Sequence, residues 1–166
     1  VTLPTTIHAV HFPQRGRAAI VVEPLPPPGA NQIVVRTEFS GVSNGTERSF
    51  LMGGPYGRST WPCRCGYQTV GRIIWAGDGV CGYEVGQRVF SGVFKHHADY
   101  LAFDVSDPDR PTNITAVLPD SIDPQHAALF GVAAVSLHDV RRCGVQSGDR
   151  VLVVGAGLIG QFAVQA

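Results

Sequence analysis

The 166-residue sequence has no surplus of either charge, with Lys+Arg and Asp+Glu both totalling 13. No basic field is offered to nucleic acid or to an anionic membrane, and no acidic tail is present, so a small-molecule substrate is the expected partner. No apolar run approaches the ~20 residues of a membrane-spanning helix. The opening Val1-Thr2-Leu3-Pro4-Thr5-Thr6 lacks both the basic and the apolar region of a signal peptide. Four cysteines, at 63, 65, 81 and 143, are too few and too unevenly spaced for a disulfide framework. A cytoplasmic location is the simplest expectation. With 44% apolar residues, a chain of this length can bury a core of ordinary size.

What is present changes character near residue 120. Before it, short β-rich runs are broken by Gly and Pro. Gln32 to Thr37, Gly71 to Ala76 and Arg88 to Phe90 are the clearest strands, rich in β-branched residues. Pro24, Pro26, Pro27 and Pro28 exclude helix and mark an extended loop ending at Gly29. Strands punctuated this way point to a barrel or sandwich. Beyond it, Asp123-Pro124 sets an N-cap before proline at the first helical position. Gln125 to Arg142 then reads as two helices broken near Gly131, closed by Arg141, Arg142 and Gly144. A helix is also expected to start near Arg48, with Thr46 and Glu47 as capping candidates.

The last stretch carries the sharpest pattern. Val151-Leu152-Val153-Val154 reads as a strand buried on both faces, of the kind found in parallel sheets. Gly155-x-Gly157-x-x-Gly160 follows and opens a helix, with Leu158 and Ile159 inside the turn. In that setting the first glycine makes a tight turn, the second admits a pyrophosphate to the backbone, and the third lets helix and strand pack closely. NAD or NADP is therefore expected as cofactor. The acid that would hold the ribose lies ~20 residues further on, past Ala166, so the choice between the two stays open. One βα unit cannot complete a dinucleotide-binding domain, and this stretch alone should bind a dinucleotide poorly.

Five segments together carry a resemblance: Pro27 to Val35, Gly41-Val42-Ser43-Asn44-Gly45-Thr46-Glu47, Gly66-Tyr67-Gln68-Thr69-Val70-Gly71-Arg72, Val85 to Val89, and the glycine fingerprint. In order and spacing the sequence resembles the medium-chain dehydrogenase/reductase superfamily, the alcohol-dehydrogenase-like proteins with a GroES-like N-terminal domain. The resemblance implies a mainly β GroES-like barrel over 1–122. Linking helices and the first βα unit of an α/β Rossmann domain would follow over 123–166. It also implies pairing into a homodimer through the cofactor domain.

Zinc-dependent members hold their metal with a Cys in a Gly-Val-Cys segment, a His in a Gly-His-Glu segment, and a third ligand before the cofactor domain. Here those places fall on Ser43 or Asn44, on Tyr67, and about Phe130. The lobe of four clustered cysteines expected after Phe90 is absent, and no catalytic or structural zinc is expected. Cys63-Arg64-Cys65 has one intervening residue where zinc hairpins use two to four, so loop thiols are favoured. Lys95, His96 and His97 would lie where the barrel faces the cleft, as surface or substrate-lining groups rather than ligands. The Ser-Asn-Gly-Thr-Glu and Gly-Tyr-Gln pattern is similar to a zinc-free group that includes bacteriochlorophyllide a dehydrogenase.

Without metal, a side chain must hold the reacting oxygen. Tyr67 is the first candidate; Thr46 is the hydroxyl best placed to relay a proton, and Glu47 could orient it or accept the proton. Packing of Tyr67 and capping by Thr46 and Glu47 are the competing explanations. The expected activity is zinc-independent NAD(P)-dependent interconversion of an alcohol and a ketone or aldehyde. Reduction of an activated C=C bond, as in quinone and enoyl reductases, stands second. A non-catalytic GroES-like binding module stands third.

Overall fold

The computed structural model describes residues 2–55, 60–93, 97–106 and 114–166. Two antiparallel sheets are formed among the described residues. The smaller is a hairpin of β1 (Thr6–Gln14) and β2 (Arg17–Pro24), turned at Gly16, whose φ of 73° suits only glycine well. The larger joins β3 (Gln32–Ser40), β4 (Thr69–Ala76), β5 (Arg88–Ser91), β6 (Tyr100–Asp104) and β7 (Thr115–Val117) in the order β6-β3-β4-β5-β7. Isolated bridges Ala9–Ala98 and Phe12–Cys63 tie the hairpin to the loops flanking the larger sheet. The result is the GroES-like, mainly β architecture expected from the sequence.

The strands earn their places by what they bury. Ile33, Val34 and Val35 are consecutive and all buried, because β3 is central, paired to β4 on one side and β6 on the other. Ile7 and Ala9 of β1 meet Ile33, Val35, Ile73, Val89, Leu101 and Phe103 in the main core. Hairpin β1–β2 is hard to see in the sequence: Ile20 and Val22 point outward while His8 and His11 interrupt the apolar alternation.

Four helices among the described residues follow from local signals. α1 (Asn44–Met52) begins four residues before the expected Arg48. The Glu47 N–H donates to Ser43 O at 2.9 Å, closing the first helical turn there. Ser43 is thus the N-cap, and Thr46 and Glu47 lie inside the first turn rather than capping it. α2 (Pro124–Ala127) starts as expected: Asp123 accepts hydrogen bonds from Gln125 N and His126 N, with proline at the first position. α3 (Phe130–Arg142) follows after a break at Ala128–Leu129, and Gly144 leaves its end with φ 69°.

α4 (Leu158–Gln165) opens at Gly157. Before it, Val151–Val154 does not form the expected strand. A strand needs a ladder, none of the described residues pairs with this stretch, and Leu152 and Val154 are 86% and 89% exposed. The glycine turn is instead held from α3. The buried Ser136 hydroxyl lies 3.1 Å from Ile159 O in α4 and 3.2 Å from Val132 O.

Candidate functional site

The N-terminus of α1 and the glycine turn open onto one cleft of about 490 Å³. Val42, Ser43, Asn44 and Gly45 line one wall, Val132 of α3 the floor, and Val153, Val154, Gly155 and Gly157 to Gly160 the other wall. This brings Val42–Gly45 and the glycine turn to the same space, although Gly45 and Gly155 stand 110 residues apart in sequence.

The three fingerprint glycines differ in their surroundings. Gly155 has φ 103°, a conformation that side chains resist. A Cβ on Gly157 would meet nothing within 4 Å, so the backbone there borders open space. A Cβ on Gly160 would sit 1.9 Å from Gly155 O, so only glycine fits beneath the turn. The first helical bond of α4 runs from Gln161 N to Gly157 O. The N–H groups of Leu158, Ile159 and Gly160 therefore precede the intrahelical ladder, and a helix N-terminus so formed suits an anion.

The candidate catalytic residues separate. Thr46 is half-buried in the first turn of α1, next to the cleft-lining Gly45. Tyr67 is half-buried against the first turn of α3, its ring 3.4 Å from where a Cβ of Gly131 would stand. Glu47 has a different partner from the Thr46 hydroxyl. Its side chain is buried, and Oε1 lies 2.7 Å from His97 Nε2. His97 Nδ1 is held 2.8 Å from Ser40 Oγ. His97 is thus a packed and bonded residue, 11% exposed at its side chain, not a surface one. Lys95 and His96 lie outside the described residues.

At the places that the family resemblance assigns to zinc ligands, the donor set does not fit the metal. Ser43, Asn44 and Tyr67 offer no thiolate, imidazole or carboxylate, and Phe130 packs its ring 6.0 Å from that of Phe90. One other group of metal-ligand types is present among the described residues: Glu47, Cys65 and His97, whose ligand atoms lie within 4.8 Å of one another. Sequence reasoning missed it. The three come from a helix and two loops, at positions 47, 65 and 97, and no short motif links them.

Cys65 is 2% exposed. Burial, with the Glu47 carboxylate and Cys63 adding, pushes its thiol up to about 12. Burial also raises Cys63, while Cys81 and Cys143 are exposed. Below both values, a thiol three units above the ordinary 9.0 holds about a thousandfold less reactive thiolate. Iodoacetamide at pH 8 should therefore label Cys81 and Cys143 first, Cys63 more slowly, and Cys65 only in denaturant. Peptide mass spectrometry reads the order; early labelling of Cys65 contradicts its burial.

Residues 29–107 match the family of the alcohol dehydrogenase GroES-like domain. L-galactonate-5-dehydrogenase of Escherichia coli (strain K12) is 29% identical over 165 residues, covering 82% of this chain and 45% of the relative. A "Probable quinone oxidoreductase" of Leishmania amazonensis is 30% identical over 135 residues, covering 79% and 36%. Among solved structures, a "putative zinc-binding dehydrogenase" from Sinorhizobium meliloti 1021 bound to NADP superposes with a TM-score of 0.79. Its identity is 24%, and the match covers 98% of this chain and 53% of that one. The chain spans about half the length of the curated relatives it matches. Among the described residues, no helix is long and apolar enough to cross a membrane.

Proposed function

We propose that this chain is the alcohol dehydrogenase GroES-like part of a medium-chain dehydrogenase/reductase, and that the whole protein is an NAD(P)-dependent oxidoreductase acting on a small molecule; the match of residues 29–107 supports this. The observation that carries this is the shared cleft, where the Ser43–Gly45 segment faces the glycine turn. In this proposal residues 1–122 are the substrate side, and 123–166 are linking helices and the opening of the cofactor domain.

The backbone of Gly155, Gly157, Leu158, Ile159 and Gly160 would hold the cofactor's pyrophosphate. Open space at Gly157 and the unladdered N–H groups beyond it fit that group. The nicotinamide, when bound, supplies the hydride chemistry, and the protein supplies orientation and a proton path. Tyr67 donates a hydrogen bond to the substrate oxygen, and Thr46 relays a proton. Glu47 is held by His97, so the relay stops at Thr46. No step is assigned to zinc at Ser43, Asn44, Tyr67 or Phe130, whose side chains support a reading of the protein as a zinc-free member. Alcohol–carbonyl interconversion is the leading reaction, supported by the likeness to L-galactonate-5-dehydrogenase. Reduction of an activated C=C bond is the second, favoured by the 30% identity to the quinone oxidoreductase relative.

The test follows nicotinamide absorbance as the full-length protein meets NADPH or NADH with ketones and aldehydes, then with quinones and enones. Turnover with carbonyls supports the first reaction, turnover confined to quinones or enones the second, and neither would sink the proposal. Tyr67→Phe should lower kcat by about 100-fold, as loss of one donor to a reacting oxygen does. Cofactor affinity should change less than about twofold, because Tyr67 does not line the glycine turn. Undiminished turnover reduces Tyr67 to a packing residue.

A further inference from the structure

We propose that Glu47, Cys65 and His97 form a binding site for a divalent transition cation, with zinc the best match, inside the barrel and away from the dinucleotide cleft. None of the three lines that cleft. The inference stands independently of the oxidoreductase proposal.

Three observations converge. The first is chemical. A carboxylate, a thiol and an imidazole are the three donor types zinc takes, and their ligand atoms already lie within 4.8 Å of one another. Tetrahedral zinc bonds of about 2.0–2.3 Å would set ligand atoms ~3.5 Å apart, so the widest separation must close by about 1 Å and the 2.7 Å pair of His97 Nε2 and Glu47 Oε1 must open by about as much. The second is an orphan. Glu47 is 4% exposed, yet its Oε2 has no hydrogen-bond partner among the described residues. A buried carboxylate oxygen left unpaired is costly, and a cation beside it removes that cost. The third is the surrounding support and access. Ser40 Oγ, 2.8 Å from His97 Nδ1, fixes the imidazole through its other nitrogen, as outer partners of metal-bound histidines do. A surface depression of about 220 Å³, lined by His8, Ser40, His97 and Asp99 among others, reaches His97 from outside.

Charge and protons balance. In the cation-free arrangement a proton lies between His97 Nε2 and Glu47 Oε1, 2.7 Å apart. On binding, the cation takes that place and the displaced proton moves to Nδ1, which then donates it toward Ser40 Oγ while Nε2 serves as ligand; the Cys65 thiol releases its own proton to solvent. One divalent cation with one carboxylate and one thiolate is neutral, which suits a buried position. Bound there, it would pin the first turn of α1, the Cys63–Cys65 segment and the approach to β6 to one another.

Cobalt(II) added to chelator-treated full-length protein provides the test, since a cobalt–thiolate bond gives an intense near-ultraviolet charge-transfer band. One equivalent should produce that band, and zinc should displace it. Cys65→Ser should abolish the band and Cys63→Ser should keep it, with circular dichroism checking that both variants fold. Ser40→Ala should weaken zinc binding by about 10-fold in competition with a chromophoric chelator. The wild-type protein alone decides if a variant fails to fold. No band, a band that survives Cys65→Ser, or one lost with Cys63→Ser alone overturns the site. Activity plays no part in these measurements, so failure here leaves the dinucleotide cleft untouched.

Discussion

Gly160→Ala should lower the affinity of the full-length protein for NADPH and NADH by at least about 100-fold. The added Cβ would stand 1.9 Å from Gly155 O, where ordinary contact begins near 3.4 Å. Neither side can give cheaply. Gly155 is already in a left-handed conformation with φ 103°, and α4 is fastened at Ile159 O by the Ser136 hydroxyl. The helix start and the turn must part by about 1.5 Å, and a displacement of about 1 Å at a reacting or binding centre costs on the order of 100-fold. The N–H groups of Leu158 and Ile159 would then no longer converge on a phosphate. Because α4 buries none of its residues among those described, the melting temperature of the barrel should hardly move. Fluorescence titration of the two reduced cofactors measures the loss. Unchanged affinity would show that the glycine turn is not where the dinucleotide binds.

That turn was legible in the sequence because its physics is local: three glycines at fixed spacing between an apolar run and a helix. Asp123-Pro124 was legible for the same reason, since a side-chain oxygen and a proline at the first position act within three residues. Central strands β3, β4 and β5 showed through their β-branched runs, whereas β1, β2, β6 and β7 did not, being partly outward-facing or short. The early start of α1 was hidden for a related reason. Its N-cap Ser43 makes no side-chain cap bond, so nothing at that position marks the boundary. Val151–Val154 shows the limit in the other direction. Its composition is that of a strand, yet strand pairing belongs to a neighbour rather than to the segment. The Glu47–Cys65–His97 group is the clearest case of what sequence conceals. His97 looked like one of two surface histidines until Ser40 and Glu47, 57 and 50 residues away, were seen to hold it.

Gly41→Ala should destabilise the barrel by about 3 kcal/mol, near the upper end of overpacking costs. The added Cβ would lie 2.1 Å from Ala128 O and 2.8 Å from the Gln68 side-chain amide. All the neighbours are fixed. Gln68 is fully buried, its backbone O accepts from Gly41 N at 3.0 Å, and its Oε1 accepts from Val132 N at 3.3 Å. A Cβ on Gly131 would meet the same Oε1 at 2.8 Å, so Gln68 is gripped between two glycines where the barrel meets α2 and α3. An alanine at 41 must push away either the Ala128 carbonyl or the amide that holds the start of α3. Either movement leaves a buried polar group unpaired, which adds to the steric cost. Each kcal/mol lowers the melting temperature by about 2–4 °C for a protein of this size, so a fall of about 10 °C is expected. Urea unfolding should show a lower midpoint with an unchanged slope, the sign of a native-state loss. The consequence extends to the cleft, because Val132 forms its floor and sits on the Gln68 bond. Cofactor affinity should therefore fall with stability in Gly41→Ala, whereas Gly160→Ala loses affinity alone. A Gly41→Ala protein with wild-type melting would mean that Gln68 can leave its place, and the bolt between barrel and cofactor side would lie elsewhere.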